Sequence, residues 1–261
     1  PGDELGIEEV LIAAGALSSS VVVHIVESWG NWTHREDVPM ASSYAVLDSL
    51  SAKIMAARGV PEEEITVTGH PGLDSFARPS VHLRSDELRA SLGLSGNRAV
   101  VFYGQPWETG SAIEAHTALA WVVDSLQPRD RLIFARHPRD PRDYASVLSR
   151  AGAHILESDL DSHQLLSVAD ISITQHSTMG LKSALLDIPT INVLHADDEP
   201  QMKVLCGGFP LTVLDGNYEV NSQAEMGRLL SGDLNGKGLK LRKALGVDGD
   251  AASRVADLVV R

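Results

Sequence analysis

The chain has 261 residues, with 22 lysines and arginines against 35 aspartates and glutamates, for a net charge of −13. An acidic excess of that size argues against nucleic acid and anionic membrane surfaces as partners, because both need a basic face. Hydrophobic residues at 43% and charged residues at 22% argue against disorder, and the length suits one large α/β unit or two domains.

In chain order, Gly6 to Leu17 reads as a helix, and the β-branched run Val21–Val26 as a buried strand. Tyr44–Leu47 is a short second strand. Ser49 is placed to cap a helix over Leu50–Arg58 that stops at Gly59. Ile65–Thr68 is a third strand, running into the turn Gly69-His70-Pro71-Gly72. The stretch from Phe76 to Ser95 is polar, with a helix over Ser85–Leu92, and the domain boundary is expected there. Strands then follow at Ala99–Tyr103, Arg131–Ala135, His154–Leu156, Ile171–Thr174 and Thr190–Leu194. Helices separate them over Ser111–Leu126, Tyr144–Ala151, Ser162–Ala169 and Met179–Leu186. Pro200–Cys206 and Gln223–Leu230 read as helical, and Ala251–Val260 as a closing helix. Strands alternating with helices predict parallel sheets and an α/β class built from two Rossmann-like layers. The expected division is a partial N-terminal domain over 1–80, a C-terminal domain over 81–250 and the closing helix over 251–261.

Ligands of open parallel sheets gather at the carboxyl ends of the strands. After Thr174 comes Gln175-His176-Ser177-Thr178-Met179-Gly180. Ser177 or Thr178 caps the next helix, and exposed amides and hydroxyls at a helix start suit a phosphate group, with Gly180 allowing close approach. After Ala135, three arginines and one histidine stand within seven residues, Arg136-His137-Pro138-Arg139-Asp140-Pro141-Arg142. This is the local basic patch that an anionic ligand needs in an acidic chain, and its place at a strand's carboxyl end favours a ligand over the alternative of Arg–Asp pairing in a solvated loop. After Tyr103, Gly104 and Gln105 lead towards Trp107, a residue suited to stacking on a base or covering the core. The run His195-Ala196-Asp197-Asp198-Glu199 offers carboxylates to sugar hydroxyls or to solvent. In the first series, Glu27 at a strand end is a candidate acid or base, because burial there raises a carboxyl pKa. His70 and Asp74 form another polar turn.

Cys206 is the single cysteine, which excludes an intrachain disulfide and a cysteine-based zinc site. No His-Glu-x-x-His spacing, phosphate-binding G-x-x-x-x-G-K loop, G-x-S-x-G elbow or G-x-G-x-x-G turn occurs. No metal and no cofactor is therefore expected. No run reaches the ~18 apolar residues of a membrane helix, and the first residues lack the regions of a signal peptide, so a cytoplasmic location is expected. A chain beginning at Pro1 is expected to be a processed product or a piece of a longer one.

The order of these motifs resembles the GT-B superfamily, in particular the non-hydrolysing UDP-N-acetylglucosamine 2-epimerases and related glycosyltransferases. His24-Ile25-Val26-Glu27-Ser28 is similar to the family's His-Val-Glu-Ala-Gly, and Val67–Asp74 to its Val-x-Gly-Asn-Pro-x-x-Asp turn. Arg136-His137-Pro138 resembles an Arg/Lys-x-His-Pro motif that also contacts phosphate in glycerophosphotransferases. Leu166 to Pro189 resembles the donor-binding strand, loop and helix. The resemblance covers about residues 20–230 and implies a GT-B-like pair of Rossmann-like domains with parallel sheets. It implies a nucleotide-activated sugar bound between them and a hydroxyl acceptor, in surface polysaccharide biosynthesis. Within it, Glu27 and His137 are the catalytic candidates, and Gly104, Gln105, Arg136, Arg139, His176, Ser177, Thr178, Gly180 and Glu199 the substrate-binding ones. The epimerases carry His-Arg-Arg-Glu-Asn where this chain has Gln105-Pro106-Trp107-Glu108, which argues against the epimerase reaction. The alternatives to transfer are that epimerase chemistry and a non-catalytic nucleotide-sugar-binding protein. A full N-domain of this fold would hold roughly 80–100 further residues, so an incomplete N-terminal domain is expected. Its exposed sheet edge makes self-association an expectation.

Overall fold

The computed structural model describes residues 7–29, 38–78, 84–105, 111–150, 155–157, 160–195, 198 and 200–260. In chain order its elements begin with α1 (Ile7–Leu17), β1 (Val23–Ile25), β2 (Ser43–Val46), α2 (Ser49–Ala57), β3 (Ile65–Val67) and α3 (Asp86–Ser91). There follow β4 (Arg98–Tyr103), α4 (Ala115–Ser125), β5 (Asp130–Ala135), α5 (Ala145–Leu148), β6 (Ile155–Glu157), α6 (Ser162–Val168) and β7 (Ile171–Thr174). The chain continues through α7 (Thr178–Leu185), β8 (Thr190–Val193), α8 (Pro200–Cys206), α9 (Pro210–Val213) and β9 (Tyr218–Val220). It ends with α10 (Gln223–Ser231), α11 (Gly238–Ala244) and α12 (Ala251–Val259). Two compact units result: Pro1–Arg78 with Gln201–Pro210 and Arg242–Arg261, and Pro79–Pro200 with Leu211–Leu241.

In the first unit, β1, β2 and β3 form a parallel sheet in that order. Tyr44, Ala45 and Val46 of the central strand are all buried, as expected of a strand covered on both faces. The run from Val21 is shorter as a strand than its β-branched residues predict. β1 is an edge strand, and its position leaves Val21 and Ile25 exposed. Asp48 rather than Ser49 caps α2: its carboxylate accepts the Ser51 N–H and hydroxyl, both at 2.8 Å. A 3₁₀ segment over Pro71–Ala77 follows β3, with His70 at its N-cap.

In the second unit six parallel strands run in the order β6-β5-β4-β7-β8-β9. Successive side chains of a strand point to opposite faces, so β4 serves two cores. Val100 and Phe102 join Leu132, Phe134 and Ile173 on one face, while Ala99, Val101 and Tyr103 join Ile133, Leu165 and Val168 on the other. The strand order reverses between β4 and β7. The crevice at the carboxyl ends there is the topological switch point at which such sheets bind ligands.

Candidate functional site

The site is built from the backbone at this switch point. Beyond β4, Gly104 donates its N–H to Ala135 O at 2.9 Å. A Cβ on Gly104 would stand 3.2 Å from both Ala135 O and His137 N, so the glycine lets the loops after β4 and β5 lie against each other. Gln105 is 3% exposed. Its backbone oxygen accepts from Arg142 at 2.9 Å, and its side-chain Oε1 accepts the His176 N–H at 3.3 Å. Gln105 thus ties together the loops that follow β4, β5 and β7.

These loops surround a cavity of about 660 Å³, within the range of small-ligand sites. Arg136, His137, Ser162 and Ser177 supply its polar groups, and Tyr103, Pro138, Leu165 and Met179 its apolar wall. Burial raises the pKa of the Tyr103 hydroxyl, which stays neutral.

The basic loop divides into two parts. Asp140 is buried and accepts from Arg142 Nε at 2.7 Å and Nη2 at 2.8 Å, from the Arg142 N–H at 3.1 Å, and from the Tyr144 hydroxyl at 2.6 Å. Burial alone would raise the Asp140 pKa, but these donors hold it below the ordinary carboxylate range. Arg142, partly exposed, is therefore a clamp between Asp140 and Gln105, and its charge is matched by Asp140. The patch of three arginines is reduced to Arg136 and Arg139, both exposed, with the Arg136 guanidinium 5.3 Å from the centre of the Tyr144 ring. His137 Nδ1 accepts the Arg139 N–H at 3.2 Å. In the neutral ring that bond places the proton on Nε2, making Nε2–H a donor.

After β7, Ser177 caps α7 by accepting the Met179 N–H at 3.2 Å, and Thr178 is the first helical residue. Gly180 serves packing, not ligand approach: a Cβ there would stand 2.8 Å from Thr174 Cγ2. The glycine lets α7 lie down on β7 and β8. His176 turns its Nε2 towards Asp198 Oδ2, at 3.6 Å. Asp198 is neither solvated nor open to a sugar. Its Oδ1 accepts the Ala112 N–H at 2.8 Å, and its Oδ2 accepts the His195 N–H at 2.8 Å and the Ser111 hydroxyl at 3.0 Å. Burial raises the Asp198 pKa, and the three donors outweigh it to leave the group below the ordinary carboxylate range. Glu199 and Trp107 lie outside the described residues.

In the first unit, Glu27 follows β1 and is exposed, so the burial expected of it is absent. His24, by contrast, is largely buried, with Nε2 3.7 Å from Glu8, and burial lowers its pKa. The polar turn after β3 is structural. His70 Nδ1 accepts the Gly72 N–H at 3.0 Å, and Asp74 accepts the Ala251 and Ala252 N–H groups at 3.0 and 2.9 Å, capping α12. Burial pushes up the Cys206 thiol pKa. Among the described residues no group of three or more His, Cys, Asp or Glu side chains could hold a metal ion, and no helix is long and apolar enough to cross a membrane.

No family model and no curated protein matches the sequence. Solved structures do match. A Listeria monocytogenes protein assigned as a UDP-N-acetylglucosamine 2-epimerase is similar with a TM-score of 0.59 and 15% identity over 95% of this chain and 69% of its own. HepE of Anabaena, in complex with UDP and glucose, gives 0.53 and 15% over 97% and 73%. The wall teichoic acid polymerase TagF gives 0.51 and 17% over 84% and 58%, so this chain spans little more than half of that enzyme. The chain has a GT-B fold. Its six-stranded unit, with the order that reverses between β4 and β7, is the Rossmann-like half in which the cavity lies.

Proposed function

We propose that the protein binds a nucleotide-activated sugar and transfers its glycosyl or related group to a hydroxyl acceptor, in the manner of a glycosyltransferase of polysaccharide biosynthesis. One observation carries this reading: a cavity at the switch point bounded by the His137 loop and the start of α7. The helix start favours anionic phosphate oxygens, the His137 Nε2–H donates to them, and Arg136 and Arg139 offset their charge. The apolar wall accommodates the nucleoside. In the reaction the acceptor oxygen bonds to the sugar carbon as the sugar–phosphate bond breaks. The acceptor proton passes to solvent, while His137 and Arg136 stabilise the departing phosphate. HepE with UDP and glucose, and a TagF structure soaked with CDPG, support a nucleotide-linked ligand of this kind. The reaction needs no cofactor beyond the donor.

Calorimetric titration with UDP, CDP, CMP and GDP, on the wild type and on His137→Ala, tests the reading. At least one nucleotide is expected to bind, with affinity about tenfold weaker in the variant, the loss of one charge-assisted hydrogen bond. Absence of binding to all four sinks the proposal. Similarity to the Listeria protein keeps nucleotide-sugar 2-epimerisation as a second reading. Deuterium incorporation at the sugar C2 in heavy water would identify it, and transfer leaves that position unlabelled. Nucleotide-sugar binding with neither outcome would mark a binding protein.

A further inference from the structure

Asp198 joins three separate strand-end segments, and none of its hydrogen-bond donors is adjacent to it in sequence. Ser111 and Ala112 precede α4, His195 follows β8, and His176 follows β7. Its side chain is 5% exposed, against 17% for His176. We propose that Asp198 is a positioning residue of the donor site: its carboxylate fixes the His176 ring, and through it the Ser177–Thr178 turn that begins α7. This inference rests on the reading of that turn as the phosphate subsite.

The chemistry calls for a carboxylate. Both oxygens accept, so the group takes three donors on its two oxygens and still presents only lone pairs to the ring. An asparagine would turn its NH₂ group against at least one of the Ala112 N–H, the His195 N–H and the Ser111 hydroxyl. At 3.6 Å the Asp198–His176 contact is too long for a hydrogen bond and within reach of an ion pair when the ring is protonated. His176 is held from its other side as well, because its N–H donates to Gln105 Oε1 at 3.3 Å. With ring and backbone both anchored, the next residue, Ser177, faces the cavity in a set position. Asp198 itself does not line that cavity, so its effect on a ligand travels through His176.

A double-mutant cycle separates this role from loop support. Wild type, Asp198→Asn, His176→Ala and the double variant are titrated with UDP and CDP, with folding checked by thermal denaturation. Each single variant is expected to bind about tenfold more weakly, and the double variant no worse than the singles, because one pathway is lost twice. Additive losses, near a hundredfold in the double variant, would overturn the proposal, as would Asp198→Asn binding like the wild type. Long-range ¹H–¹⁵N spectra of the ligand-free protein provide a second readout that needs no nucleotide. They are expected to show a proton on His176 Nε2 in the wild type and a shifted ring signal in Asp198→Asn. Nε2 without a proton, or ring signals unmoved in the variant, contradicts the pairing. If the wild type binds none of UDP, CDP, CMP and GDP, the functional reading falls while these spectra still decide the Asp198–His176 contact. Should Asp198→Asn not fold, the wild-type Nε2 signal decides alone.

Discussion

In the first unit, the aspartates that follow β2 and β3 sit at helix starts: Asp48 caps α2 and Asp74 caps α12. In the second unit, the polar residues beyond β4, β5, β7 and β8 bond across loops: Gln105 to Arg142 and His176, and Asp198 to Ser111 and Ala112. Polar residues at strand ends thus cap helices in one unit and tie loops around a cavity in the other. The difference lies in what they reach. Asp48 and Asp74 each satisfy the amides of one helix start, Asp74 from 177 positions away, whereas Gln105 accepts from two other loops at once, 37 and 71 positions away. A strand-end polar residue therefore points to a ligand site only when its neighbours come from other strands.

The largest effect is expected at Asp140. Asp140→Ala removes the common acceptor of Arg142 and Tyr144 and should cost about 3 kcal/mol in urea unfolding. A cost below about 1 kcal/mol would break the view of this loop as an internally clamped frame. The clamp also sets a pH dependence. The folded-state pKa of Asp140 lies below its unfolded value, so its contribution is complete above the unfolded carboxylate value and is lost as pH falls through the folded one. Asp140→Asn should flatten this acid limb of the stability curve. Next comes Gly180→Ala, which crowds Thr174 and should destabilise by about 1–3 kcal/mol. Adding Thr174→Ser removes the methyl group that the new Cβ meets and should restore most of the loss. If the single variant is stable and binds nucleotide more weakly, Gly180 contacts the ligand after all. The smallest effect is expected at Asp74, where alanine removes a cap worth about 1 kcal/mol and leaves nucleotide affinity unchanged. Weaker binding without a stability change would erase the contrast between the units.

Much of this architecture is legible from the residues. Ala99–Tyr103 and Ile171–Thr174 read as strands because a parallel sheet buried on both faces needs continuous apolar runs. β9 escapes such a reading because Tyr218-Glu219-Val220 is too short to show a period, and α11 because Gly238 opens it without a preceding capping signal. Ser49 looks like a cap beside Asp48, and only the backbone at residue 48, extended before the helix, distinguishes them. The site is legible as a set of loops and not as a set of contacts. That Arg142 turns inward depends on a carbonyl 37 positions away, and that Asp198 is filled depends on Ser111 and Ala112. Gly180 misleads because a glycine after a strand suits close approach of a ligand and of a neighbouring strand equally well. One signal is present for Asp140: a carboxylate two residues before Arg142 and four before Tyr144, which places three partners within a single turn of chain.

The central claim is that a nucleotide enters the cavity at the carboxyl ends of β4, β5 and β7. Backbone amide NMR during titration with UDP or CDP tests it most directly. The largest shifts are expected at Gly104, His137, Ser177 and Thr178, with little change at Asp48 or Asp74. Shifts centred on the opposite end of the six-stranded sheet, or no shifts with UDP, CDP, CMP or GDP, would contradict it.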